Sequence, residues 1–150
     1  MWIKSAETPV RDQITAFLRD YARAVQAGDN AAVAASYAET YIEGDPSGAA
    51  AITNDADYRA ALDKRHTAMT EQFGLTGADV TVLDVLDFAP GYVLVPTRWT
   101  LDFAPPNGMA GSAQFAQTYV VRLGDGRPQI LLYLSHEPED EAMRKLGLID

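Results

Sequence analysis

The chain predicts an α+β domain whose N-terminal helices pack on one face of a curved antiparallel sheet. Three observations carry that reading: apolar residues at helical spacing through the first half, a change to a period of two from Asp79 onward, and turn signals that divide the second half into four strands. Helices first and a long meander after them make one face of the sheet the floor of a cup.

Ile14, Phe17, Leu18, Tyr21 and Val25 fall on one helix face, and Gly28 lies where that helix stops. Asp29 caps a second, alanine-rich helix over residues 30–38, in which Val33 and Tyr37 share a face. A short strand over 40–43 leads into Asp45-Pro46-Ser47-Gly48, a turn because proline presets its own backbone angle and glycine tolerates the tight exit. A loop follows to about residue 53. Asn54 or Asp55 then caps a third helix, where Tyr58, Leu62, His66, Met69 and Phe73 form one apolar stripe before Gly74 and Gly77 end it.

Strands are expected over 79–88, 92–103, 112–123 and 129–136, separated by Ala89-Pro90-Gly91, by Pro105-Pro106-Asn107-Gly108 and by Gly124-Asp125-Gly126. A closing helix over 139–146 has acids first and Arg144-Lys145 last, which matches its dipole. Alternation turns Val93, Val95, Thr97, Trp99, Leu101 and Phe103 inward, and with them Phe115, Gln117, Tyr119 and Val121 of the next strand. In the last strand Ile130, Leu132, Leu134 and His136 are expected to face the helices. The outer face keeps Leu94, Val120, Leu131 and Tyr133, so a second copy of the chain is expected to cover it as a homodimer through the sheet.

A length of 150 residues predicts a single domain, 1–150, with room for a sizeable core. A net charge of -9 repels polyanions at long range and argues against nucleic acid as a partner. The chain has no cysteine, which excludes disulfides and thiolate chemistry. No apolar run approaches the ~20 residues of a membrane span, and the N-terminus lacks a basic start followed by an apolar stretch, so a cytoplasmic protein with no membrane partner is expected. Two histidines far apart give no metal-ligand spacing, and there is no phosphate loop, dinucleotide-binding loop or nucleophile elbow; no cofactor is expected.

The order helix, Gly-Asp, short helix, Asp-Pro, helix, long antiparallel meander resembles the nuclear-transport-factor-2-like superfamily of conical α+β domains, which includes ketosteroid isomerases, SnoaL-like polyketide cyclases and scytalone dehydratase. The spacing is most similar to that of ketosteroid isomerase, in which a first-helix tyrosine donates to the developing oxyanion and an aspartate before a proline shuttles the proton. Without a gap, Tyr21 falls on that tyrosine, Gly28-Asp29 on its Gly-Asp, and Asp45-Pro46 on its Asp-Pro. The family's second oxyanion donor is a sheet aspartic acid. Here that register falls near Thr118 or Tyr119, where no carboxylate stands and a phenol supplies one O–H instead. His136 replaces an apolar pocket residue and adds a base.

The resemblance thus implies a small, largely apolar ligand and cofactor-free isomerisation, cyclisation or dehydration through Asp45 as base, Tyr21 as donor and His136 as a further base. The pocket is expected to be lined by Phe17, His66, Trp99, Phe115, Tyr119 and Leu134. The same residues have structural readings: Tyr21 as core, Asp45 as a turn brace, and the histidines as hydrogen-bonded boundary groups. A cone filled by its own side chains would be a non-catalytic binding or dimerisation module.

Overall fold

Burial in the first helix follows the helical period of its sequence. The computed structural model describes residues 3–138 together with 141 and 144. Helix α1 (Thr8–Ala27) starts at Thr8-Pro9, where proline's missing N–H is no loss, and buries Ile14, Phe17, Leu18 and Tyr21. It ends at Gly28 in the left-handed conformation, φ 70°. A β-carbon at Gly28 would stand 2.5 Å from His66 Nδ1, so glycine is required both by backbone angle and by this close approach. Asp29 caps α2 (Asn30–Ala35), accepting from Ala32 N–H.

That second helix is shorter than expected. It stops at Ala35 because Tyr37 pairs with Ile130 and Ser36 O accepts from Ile130 N–H at 2.8 Å, and this sheet pairing overrides the helix preference of the alanines. Tyr37 therefore opens a strand, β2 (Tyr37–Asp45), and its face-sharing with Val33 on a helix does not occur. The expected loop before residue 53 is β3 (Gly48–Thr53), the hairpin partner of β2 at the sheet edge. Its Gly-Ala-Ala-Ala run carries no β-branched signal, and only pairing reveals it.

Asp55 caps α3 (Ala56–Glu71), accepting from Tyr58 N–H at 2.9 Å. The long strand expected over 79–88 is two elements, β4 (Leu75–Val82) and β5 (Leu86–Ala89), which occupy successive parts of one edge of β6 (Tyr92–Phe103). Between them Val85 turns inward and is 1% exposed, while Asp84 beside it pairs with Arg11 at the surface. A two-residue strand, β1 (Lys4–Ser5), extends β5 and has no signal in the sequence pattern. Strands β7 (Gly111–Arg122) and β8 (Gln129–Ser135) complete the meander. The sheet runs β1-β5-β6-β7-β8-β2-β3, with β4 also on β6, and every pairing is antiparallel except β2 with β8. The expected closing helix over 139–146 lies outside the described residues save Glu141 and Arg144.

The inward sets of β6 and β7 are as alternation requires. In β8 the parity changes. Val120 pairs with Leu132 but Val121 with Ile130, so Leu131 is an extra residue, a bulge that exchanges the two faces beyond it. Ile130, Tyr133 and Ser135 point inward, while Leu132, Leu134 and His136 point outward, the reverse of the sequence expectation for all of these but Ile130. Among the described residues no helix is long and apolar enough to cross a membrane.

Gly28→Ala is expected to lower stability by about 2 kcal/mol or more, through left-handed backbone strain and the His66 clash together. In a His66→Ala background the same change should cost only about 1 kcal/mol, as read from urea denaturation midpoints.

Candidate functional site

Helices and sheet bound a half-open cavity of about 160 Å³. Its wall is unusually rich in phenols: the chain has seven tyrosines, and Tyr21, Tyr37, Tyr41, Tyr58, Tyr119 and Tyr133 all line the space. Aliphatic and aromatic surface comes from Val25, Val33, Leu62, Met69, Trp99 and Phe115. A buried phenol must pair its hydroxyl, and the pairings decide which of these groups remain able to serve a ligand.

Trp99 Nε1–H donates to Tyr119 Oη at 2.9 Å, and Tyr119 O–H donates to Gln117 Oε1 at 2.6 Å. Gln117 Nε2 then donates to Ser135 Oγ at 3.0 Å. This chain of bonds is internally satisfied. Tyr119 has given its only hydrogen to Gln117, so it is a brace for the sheet wall and not the spare donor expected in place of a sheet aspartic acid. Burial holds its phenol well above the ordinary range.

Tyr21 and Tyr37 hydroxyls lie 2.6 Å apart. Two hydroxyls share that one contact, so one hydrogen of the pair remains. Burial lifts the Tyr21 phenol to about 12, offset in part by the bond from Tyr37, while Tyr37 is raised further by burial and by Tyr21 itself. Either hydroxyl can give the shared hydrogen, and when Tyr37 gives it the remaining hydrogen is on Tyr21. The Tyr37 ring lies 4.2 Å from that of Tyr41, whose hydroxyl donates to Tyr58 and is held up by burial.

Glu43 is the only carboxylate on the cavity wall among the described residues. It is register-paired with Tyr133 across the parallel β2 and β8, and the Tyr133 O–H donates to its Oε2 at 2.7 Å. Burial, first, and this bond to Glu43 push the Tyr133 phenol far up. Arg65, exposed on α3, also lines the space, and its charge favours the ionised form of Tyr21 and Tyr133.

Helix α3 reaches the cavity through the stripe Tyr58, Leu62, His66 and Met69, none of which is fully buried. Polar ties hold the helix in place. His66 Nε2–H donates to the Gln26 carbonyl at 3.0 Å, a bond that fixes the tautomer because a carbonyl only accepts, and Asn30 Nδ2 donates to Asp63 Oδ1.

The expected site residues separate into two groups. Tyr21, His66, Trp99, Phe115 and Tyr119 line the cavity. Phe17 is buried one turn before Tyr21 but does not reach the cavity wall. Leu134 is 42% exposed on the outer face, and His136 lies on that face with Nε2 2.7 Å from Thr118 Oγ1; the Leu131 bulge is the reason for both. Asp45 does not line the cavity. It ends β2 in an open depression beside the cavity, which Glu43 and Tyr133 also line, and there the Ser47 hydroxyl and backbone N–H both donate to its Oδ1 and draw its carboxyl below the usual range. Glu43, Tyr37, Tyr41, Tyr58 and Tyr133 line the cavity without being expected there. Their signal is the spacing Tyr37, Tyr41, Glu43, which becomes readable once β2 is a strand of nine residues rather than a helix end and a short strand.

Neither a protein-family model nor a curated protein sequence matches the chain. Solved structures do. Aln2 from a Streptomyces species superposes with a TM-score of 0.71 at 14% identity, over 95% of this chain and 99% of that one. An NTF2-like protein of unknown function from Shewanella oneidensis gives 0.64 at 19% identity, over 85% and 98%. A ketosteroid isomerase-like protein from Erwinia carotovora atroseptica gives 0.61 at 18% identity, over 83% and 93%. The fold is that of the nuclear-transport-factor-2-like superfamily, an α+β cone.

A phenol raised by burial binds its proton more tightly in the folded than in the unfolded chain. Its stabilising contribution is full below pH 10 and is lost as pH rises toward the folded value. Tyr21 alone is expected to remove about 2 kcal/mol of stability by pH 12, so Tyr21→Phe should flatten the alkaline limb of a urea-midpoint profile by that amount.

Proposed function

We propose that the chain binds a compact, largely apolar molecule carrying an acceptor oxygen, and that the cavity supports cofactor-free proton transfer on it. The observation that carries this is the hydrogen left over in the Tyr21–Tyr37 pair, which Tyr21 presents to the cavity when Tyr37 donates to it. An acceptor oxygen on the ligand completes that bond in a water-poor site, where it is worth most. The volume supports a ligand of one or two rings, since an apolar cavity of roughly 150 Å³ is known to hold benzene. Against a self-filled cone stands the open volume itself, which remains beside Tyr58, Leu62 and Met69 of α3 although these pack on the core.

In a Trp2→Phe background Trp99 is the sole tryptophan. 2-Naphthol is expected to quench its fluorescence saturably, and Tyr21→Phe to weaken binding about 5–10-fold, the worth of one hydrogen bond. Val33→Phe, which fills the wall, should abolish quenching. Absence of saturable quenching in the parent would favour the non-catalytic, self-filled module.

We also propose that a second copy covers the outer sheet face. Leu86, Leu94, Val120, Leu132 and Ile42 are register neighbours in one row across five strands, and Leu134 stands beside it. Such a row left in water favours association. Sedimentation equilibrium should show a dimer that Leu134→Glu converts to monomer; a monomeric parent would remove the proposal.

A further inference from the structure

We propose that Glu43, and not Asp45, is the base that takes up and returns the proton on the bound molecule. The proposal rests on the ligand-binding reading above and adds to it the identity of the proton-transferring group.

Position comes first. Strand β2 turns Tyr41 and Glu43 into the cavity, whereas Asp45 lies one alternation further on, where the chain reverses into β3. There Ser47 engages one carboxylate oxygen twice, and a carboxylate so stabilised is a poorer proton acceptor. Glu43 is bound differently. Among the described residues its hydrogen-bond partner is one phenol, Tyr133, on Oε2, and Oε1 is the oxygen offered to a ligand.

Orientation follows from the sheet. Glu43 is register-paired with Tyr133, whose hydrogen bond holds the half-buried carboxylate where the cavity meets the depression at the end of β2. The Tyr133 ring is itself wedged, 6.3 Å from Tyr41 and 6.1 Å from Tyr119. These contacts form an aromatic collar that fixes the phenol donating to the carboxylate. The two ends of the required chemistry then sit on different walls: Tyr21 on α1 as hydrogen-bond donor, Glu43 on β2 as acceptor of a proton, with Tyr37 contacting Tyr21 on one side and Tyr133 on the other.

The step is balanced without any co-reactant. As Glu43 Oε1 takes a proton from a carbon next to a carbonyl, the C–H electron pair becomes the C=C bond of an enolate, and the carbonyl π pair moves to oxygen, where the Tyr21 O–H meets it. Protonated Glu43 returns the proton to carbon, or a deuteron after exchange with solvent, and the carboxylate is regenerated.

The probe is 2-tetralone, a two-ring ketone with exchangeable α-hydrogens, in deuterium oxide. Loss of the α-hydrogen signal by nuclear magnetic resonance should be faster with the protein than in buffer. Glu43→Gln is expected to reduce that protein-dependent exchange by about 100-fold or more, the usual worth of a positioned base, while 2-naphthol binding changes less than about threefold. Glu43→Asp, which withdraws the carboxylate by one methylene, should retain a measurable fraction, and Asp45→Asn should exchange like the parent. Glu43→Gln exchanging at the parent rate, Asp45→Asn losing exchange, or a parent that binds 2-naphthol and exchanges nothing would each overturn the assignment. The ligand-binding reading would fail separately, by absence of 2-naphthol binding.

Discussion

The register of the last strand is the constraint on which most of the interior depends. Leu131 is one residue too many for the pairing with β7, and the sheet accommodates it as a bulge. Because side chains alternate with a period of two, the extra residue moves Tyr133 and Ser135 to the inside and Leu134 and His136 to the outside. Tyr133 thereby reaches Glu43, and Ser135 reaches Gln117. Without the bulge the cavity would lose both contacts and gain a leucine and an imidazole.

A second constraint is chemical. Six phenols around one cavity present six hydroxyls to a water-poor space, and each unpaired one costs on the order of 1–3 kcal/mol. Pairing resolves most of that cost: Tyr119 between Trp99 and Gln117, Tyr133 on Glu43, Tyr41 on Tyr58, and Tyr37 on Tyr21. The T-shaped packing of Tyr21 on Trp99 and Tyr37 fixes the rings that carry these hydroxyls. Donors in this state are already oriented, which is the condition under which a hydrogen bond discriminates a developing charge from a neutral oxygen.

Helix α3 shows how the same cavity shapes the periphery. Its stripe packs on the core through Tyr58, Leu62, Met69 and Phe73 and also borders the cavity, and the helix is held further by Asp55 at one end, Asn30 and His66 along its length, and the Gly28 approach. Gly28 is thus both the stop of α1 and the seat of the His66 ring. His66 lines the cavity, yet its Nε2–H is spent on the Gln26 carbonyl, which makes it a fastener for α3.

Much of the fold is legible in the chain itself because it is written in local terms. Helical spacing and Gly28 delimit α1, Asp55 caps α3, and strict alternation marks the buried faces of β6 and β7. The cone, and a cavity bounded by Tyr21, Trp99 and Tyr119, follow from that order of elements. What only the tertiary structure decided is every feature that depends on pairing between distant segments: the strand character of Tyr37, the alanine-rich edge strand, the split of β4 from β5, and the parallel contact of β2 with β8. The candidate site belongs largely to this second group. Asp45 and His136 have suitable chemistry by residue type, but hairpin geometry and a one-residue bulge direct them elsewhere, while Glu43 acquires its position only when Tyr133 is brought beside it from 90 residues away. A side chain's type is set by sequence; the face it occupies depends on a register that the whole sheet must satisfy at once.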